Sequence, residues 1–119
     1  NKNNLNKIVK IVHTKIRKKM NDFLKKNRNK KFVILDIPLL LENKINKQKD
    51  VLVFVQSKQS DILKRLKKRK NFNQKLLSKF KSIQLPNNIK KKKSQFVIKN
   101  DFTEKSVRNG IKNILKEII

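Results

Sequence analysis

The chain of 119 residues carries 34 Lys and Arg against 8 Asp and Glu, a formal net charge of +26. That length supports one domain around one core and is too short for two; the absence of Cys excludes disulfides and thiolate metal sites, and no apolar run approaches the roughly 20 residues of a membrane-spanning helix. The basic excess points toward phosphate-rich partners such as nucleic acid, nucleotides or anionic membrane. Yet most of the basic residues are Lys, Asn and Ile abound and Ala is absent, so a coding bias that leaves Lys on solvated positions accounts for the same charge. The polar start from Asn1 to Lys7 does not read as a signal peptide, and a first residue other than Met suggests a fragment or a processed product.

In chain order, Ile8, Ile11, Val12, Ile16, Met20, Phe23 and Leu24 recur every three or four positions, which predicts an amphipathic helix ending near Asn29. Phe32 to Ile37 is a short run, rich in branched residues and apolar except at Asp36, closed by Pro38, and predicts a strand buried on both faces. Val51 to Val55 predicts a second strand. A helix follows over Ser57–Lys70, apolar at Ile62, Leu63 and Leu66, and another from Asn73 to about Gln84. Leu85 to Ser94, with Pro86 and the lysines 90–93, reads as loop or short helix. Phe96-Val97-Ile98 predicts a third strand, and Asp101 with Glu104 resembles a capping box for a last helix whose stripe is Val107, Ile111, Ile114, Leu115 and Ile118. Strands alternating with helices predict an α/β fold with a parallel sheet.

Few residues stand out as chemistry. Asp36 lies at the carboxyl end of an apolar run, the edge of a parallel sheet where ligands bind; it reads as a magnesium-orienting carboxylate, acting through water, or as a loop or capping group. The loop Pro38-Leu39-Leu40-Leu41-Glu42 lines a small-molecule site or covers core. Only five of the 34 basic residues are Arg, so Arg65 and Arg69, four apart and on one face of the expected helix, suggest two-pronged phosphate contact, the bland reading being a solvated face. His13, the single histidine, reads as a structural helix residue before a metal ligand or base. There is no Gly-rich loop, the only glycine being Gly110, and Phe32, Phe54 and Phe96 fall inside the expected strands, leaving little aromatic surface for base stacking.

Taken together, His13, the string Leu35 to Glu42, the pair Arg65 and Arg69, Gln84 and the end Phe96-Val97-Ile98-Lys99-Asn100 occur in an order that resembles the dephospho-coenzyme A kinases. In that family a His-Pro pair starts a helix, a strand runs into a Pro-Leu-Leu-Phe-Glu loop, an Arg-x-x-x-Arg helix leads to a mobile lid, and a Gln precedes a basic stretch and an Ala-Asp-x-Val-Ile-x-Asn strand. Thr14, Leu41, Lys70, Ser94 and Gln95 depart from this pattern, as do Asp101 and Phe102, which stand where small residues or Gly are usual.

The resemblance implies a P-loop kinase-like parallel sheet with flanking helices and a helical lid at about residues 65–94, residues 1–119 forming a partial kinase domain. It implies ATP-dependent phosphorylation of the ribose 3′-hydroxyl of dephospho-coenzyme A in the cytoplasm, with ATP and Mg2+. His13, Pro38, Leu39, Leu40 and Glu42 would border the acceptor, Arg65 and Arg69 the phosphates, Asn100 the adenine, and Asp36 the metal. The first strand, the phosphate-binding loop and the catalytic acid would lie upstream of Asn1, and the chain alone would be inactive and poorly stable. No nucleic acid or membrane partner is expected on this reading. A small basic nucleic-acid-binding protein and another P-loop nucleotide kinase are the alternatives.

Overall fold

The structure is a computed structural model that describes residues 2–119. It divides into two compact units, one ending at Pro38 and the other Leu39–Ile119.

The first unit is dominated by α1 (Lys2–Lys26). Its unbranched Lys and Asn positions separate apolar residues at helical spacing, and it ends where the Asn27 side chain turns back to donate to the Phe23 carbonyl at 2.8 Å. Ile8, Ile11, Val12 and Phe23 are exposed along it, while Met20 and Leu24 of the same stripe are half-buried. Residues 32–37 form no ladder. The expected strand buried on both faces is therefore not present here: Ile34 is 88% exposed and Phe32 45%. A strand needs a neighbour to satisfy its N–H and C=O groups, and none pairs with this run among the described residues.

The second unit holds the sheet. Strands β1 (Val53–Gln56) and β2 (Phe96–Lys99) pair in parallel, Val53 opposite Phe96 and Gln56 opposite Lys99. The ladder is extended at its start by Gln95 and Phe96, which donate to the Leu52 carbonyl, and at its end by Asn100, which donates to the Gln56 carbonyl at 2.7 Å. Between the strands run α2 (Gln59–Lys67), α3 (Gln74–Ile83) and α4 (Asn87–Lys93). Asn73 opens α3 by accepting from the Lys75 and Leu76 amides, and Ile62, Leu63 and Leu66 of α2 face Leu77 of α3 across a small cleft.

Helix α5 (Glu104–Ile118) packs on β2. Gly110 makes the approach possible: a Cβ there would lie 2.9 Å from Ile98 Cγ2. Ile98 and Ile45 are the buried apolar residues of the described chain. The start of α5 differs from the expected capping box. Thr103, not Asp101, is the N-cap and accepts from the Ser106 amide; Asp101 lies two residues earlier and braces the cap from outside. Of the three phenylalanines expected inside strands, Phe54 and Phe96 are half-buried in β1 and β2, and Phe32 is exposed in the unpaired run.

Candidate functional site

Residues expected to act together fall on both units. In the first, His13 is half-buried in the middle of α1, and Asp36 and Pro38 are exposed at the end of the unpaired run. In the second, Leu39 to Ile45 coil into a tight loop. Leu39 and Lys44 adopt left-handed backbone, φ 54° and 51°, and the amides of Asn43, Lys44 and Ile45 return to the carbonyls of Leu39, Leu41 and Leu40 at 3.0–3.1 Å. Coiling turns Ile45 inward and half-buries Leu39, Leu40 and Glu42.

Glu42 has a defined task in this loop. Its Oε2 accepts from the Leu85 amide at 3.1 Å and pairs with Lys90 Nζ at 2.9 Å. Burial alone would raise the carboxyl pKa, but the Lys90 hydrogen bond, the amides of Glu42 and Leu85 and the Lys90 charge outweigh it and hold the group below its ordinary value. The carboxylate therefore ties the leucine loop to the segment between α3 and α4.

Arg65 and Arg69 are placed differently from one another. Arg65 lies in the last turns of α2, but the helix ends at Lys67, two residues short of Arg69. The amides of Lys68 and Arg69 reach back three residues, to Arg65 and Leu66, and this tightening closes the helix. The two arginines thus do not share a helical face as the spacing suggests. Arg65 stacks on Phe102, its Cζ 3.9 Å from the ring centroid, while Arg69 is exposed in the turn leading toward α3.

Asn100 follows β2 directly, at the carboxyl end of the sheet. Its Oδ1 accepts from the Phe102 amide at 2.9 Å. Next to it, Asp101 Oδ1 accepts from the Thr103 amide at 2.8 Å, the Thr103 hydroxyl at 2.5 Å and the Ser106 hydroxyl at 2.6 Å. The Ser106 and Thr103 donors hold the Asp101 carboxyl down to about 2. Through Phe102, then, Arg65 and Asn100 are brought to one place. An open cleft of about 350 Å³ lies close by, lined by Gln56 and Lys99 at the strand ends together with Lys91 and Ser106, and Lys91 Nζ donates to Gln56 Oε1 at 3.2 Å. Cationic and amide groups at the carboxyl ends of parallel strands suit an anionic, hydrogen-bonding ligand.

Two participants escaped the sequence. Lys90 was one lysine in a run of four, with nothing to set it apart until Glu42 was seen against it. Phe102 carried a signal, since an aromatic stood where the resembled pattern has small residues.

The sequence matches the family model described as dephospho-CoA kinase over residues 1–106. Among curated relatives, a dephospho-CoA kinase of Bacillus thuringiensis is 35% identical over 112 residues, covering 91% of this chain and 55% of its own length. One from Bartonella quintana is 30% identical over 118 residues, 94% and 60% of the two chains, and one from Wolbachia of Brugia malayi is 28% identical over 110 residues, 91% and 56%. The chain thus spans between half and two thirds of the length of these relatives. A match that runs through α1, the leucine loop, both strands and the start of α5 carries the whole element order with it, and the chain belongs to the dephospho-CoA kinase family.

Proposed function

We propose that this chain is part of an enzyme that transfers the γ-phosphoryl group of ATP to the ribose 3′-hydroxyl of dephospho-coenzyme A. The family match over residues 1–106 carries the reading, and the cationic carboxyl edge of the sheet is in keeping with it. The 3′-hydroxyl oxygen bonds to the γ-phosphorus and gives up its proton to a base or to water, the bond from that phosphorus to the β,γ-bridging oxygen breaks, and ADP leaves. Little covalent work falls to the protein in such a transfer, which depends on alignment and on charge stabilisation.

In this proposal residues 65–94 act as the lid of one kinase domain, with Arg65 and Arg69 donating to phosphate oxygens as negative charge shifts toward the leaving group. Asn100, fixed at the end of β2, offers its amide to the adenine. His13, Pro38, Leu39 and Leu40 border the acceptor, and Glu42 keeps their loop in shape through Lys90. Among the described residues no cluster of three His, Asp or Glu side chains could cage a metal ion. Asp36 offers one exposed carboxylate, which fits magnesium, an ion that takes most of its ligands from water and phosphates. Bound there, the metal would neutralise phosphate charge. The glycine-rich phosphate loop and the catalytic acid belong, on this reading, to sequence upstream of Asn1. The setting that goes with this reading is the cytoplasm. Among the described residues no helix is long and apolar enough to cross a membrane.

The test joins the upstream coding sequence to this chain and assays ATP-dependent phosphorylation of dephospho-coenzyme A. Activity is expected, with kcat/KM lowered about 10²-fold in Arg65→Ala and in Arg69→Ala while both variants stay folded. Full activity in either variant removes that arginine from the lid, and no phosphorylation removes the kinase reading and favours binding of nucleic acid by the basic surface.

A further inference from the structure

The Arg65 guanidinium lies over an aromatic ring, that of Phe102. Its partner comes from another element, the turn between β2 and α5, so the contact joins the proposed lid to the end of the sheet. Phe102 holds its place in left-handed backbone, φ 65°. That conformation ordinarily selects Gly or Asn, and a bulky aromatic adopts it only where neighbouring contacts enforce it. Those contacts are present: Asn100 Oδ1 fixes the Phe102 amide, and Asp101 fixes Thr103 on the other side. The outcome of a strained turn is one ring aimed at one guanidinium.

A guanidinium stacked by its face keeps its N–H donors at the rim, where phosphate oxygens take them two at a time. The ion pairs recorded among the described residues leave Arg65 without a carboxylate partner. We propose that Phe102 is a positioning residue for phosphate binding, its ring holding the Arg65 guanidinium next to the Asn100 turn so that a nucleotide meets an arginine already ordered. The inference rests on the phosphate role of Arg65 proposed above. It adds to that role a side chain at a position where the family pattern has small residues.

The test uses the complete protein, this chain joined to its upstream segment, as wild type, Phe102→Leu, Phe102→Tyr, Arg65→Gln and the double variant Arg65→Gln with Phe102→Leu. ATP affinity is read by calorimetric titration, and KM for ATP and kcat by the phosphorylation assay. Phe102→Leu is expected to weaken ATP binding about three- to fivefold and to lower kcat/KM for ATP by at least the same factor. Phe102→Tyr restores both, and Phe102→Leu changes nothing further once Arg65 is Gln. Equal losses with and without Arg65 mean that the ring merely supports the turn, and unchanged affinity in Phe102→Leu means that it does not order Arg65; either overturns the inference. Phosphorylation with a flat Phe102 series overturns the inference and spares the kinase reading. ATP binding that follows the expected series without phosphorylation of dephospho-coenzyme A does the opposite, and a wild type that binds no ATP overturns both.

Discussion

Glu42 is the clearest case of one side chain with a measurable effect. With its side chain 10% exposed and Lys90 Nζ 2.9 Å away, the carboxylate is not screened as a surface pair would be, and an amide also donates to it. Glu42→Gln keeps the shape and an acceptor for Leu85 but removes the charge, so it should cost about 1–2 kcal/mol. The pH dependence has a definite sign. The folded pKa is depressed, so the contribution is complete above the ordinary glutamate range and is lost as pH falls through the folded value. Urea melts of wild type and Glu42→Gln should therefore differ at pH 7 and converge on acidification. A difference that persists at low pH would mean that the charge is not what stabilises the loop.

Among the elements, the approach of α5 to β2 gives the sharpest expectation. Replacing Gly110 by Ala should favour an isolated helix by about 1 kcal/mol. Here the new methyl would sit 2.9 Å from a methyl of Ile98, a buried, branched residue in the middle of β2 that has no free end to move aside. Overpacking of this kind costs about 1–3 kcal/mol, so Gly110→Ala should lower the melting temperature, and a rise would show that α5 stands further from the sheet. Much of this layer was legible in the sequence. The stripe of α5, the run Phe96 to Ile98 and the apolar positions of α2 and α3 each repeat with the period of the element they form, and the elements appear where those periods place them. What was not legible has physical reasons. The run Phe32 to Ile37 has the composition of a strand, but composition states only what a segment can bury, and pairing depends on a neighbour. The cap of α5 moved from Asp101 to Thr103 because the carboxylate found stronger use holding the Thr103 and Ser106 hydroxyls. Phe102 over Arg65 depends on a left-handed residue that no periodicity reveals.

For the chain taken whole, the exposed apolar surface decides behaviour. Ile8, Ile11, Val12 and Phe23 on α1, Phe32 and Ile34 in the unpaired run, and Val53 and Val55 on β1 are all more than 40% exposed. A folded domain rarely leaves so much apolar area in water, and the charge of +26 adds self-repulsion. The 119-residue chain expressed alone should bind a hydrophobic fluorescent dye and melt over a broad range, whereas joined to the upstream segment proposed above it should lose the dye signal and melt cooperatively. A sharp transition without dye binding in the short chain would show that these faces are covered within the 119 residues.

The ladder between β1 and β2 also sets a schedule. Leu52 and Gln95, which join the strands at their start, are 43 residues apart, with α2, α3 and α4 between them. On a ribosome that adds about 5–20 residues per second, β1 waits roughly 2–9 seconds before its partner has been made. Until then the edge that β2 will occupy is left without that partner, and the self-repulsion of a chain with a net charge of +26 opposes its association with neighbouring copies.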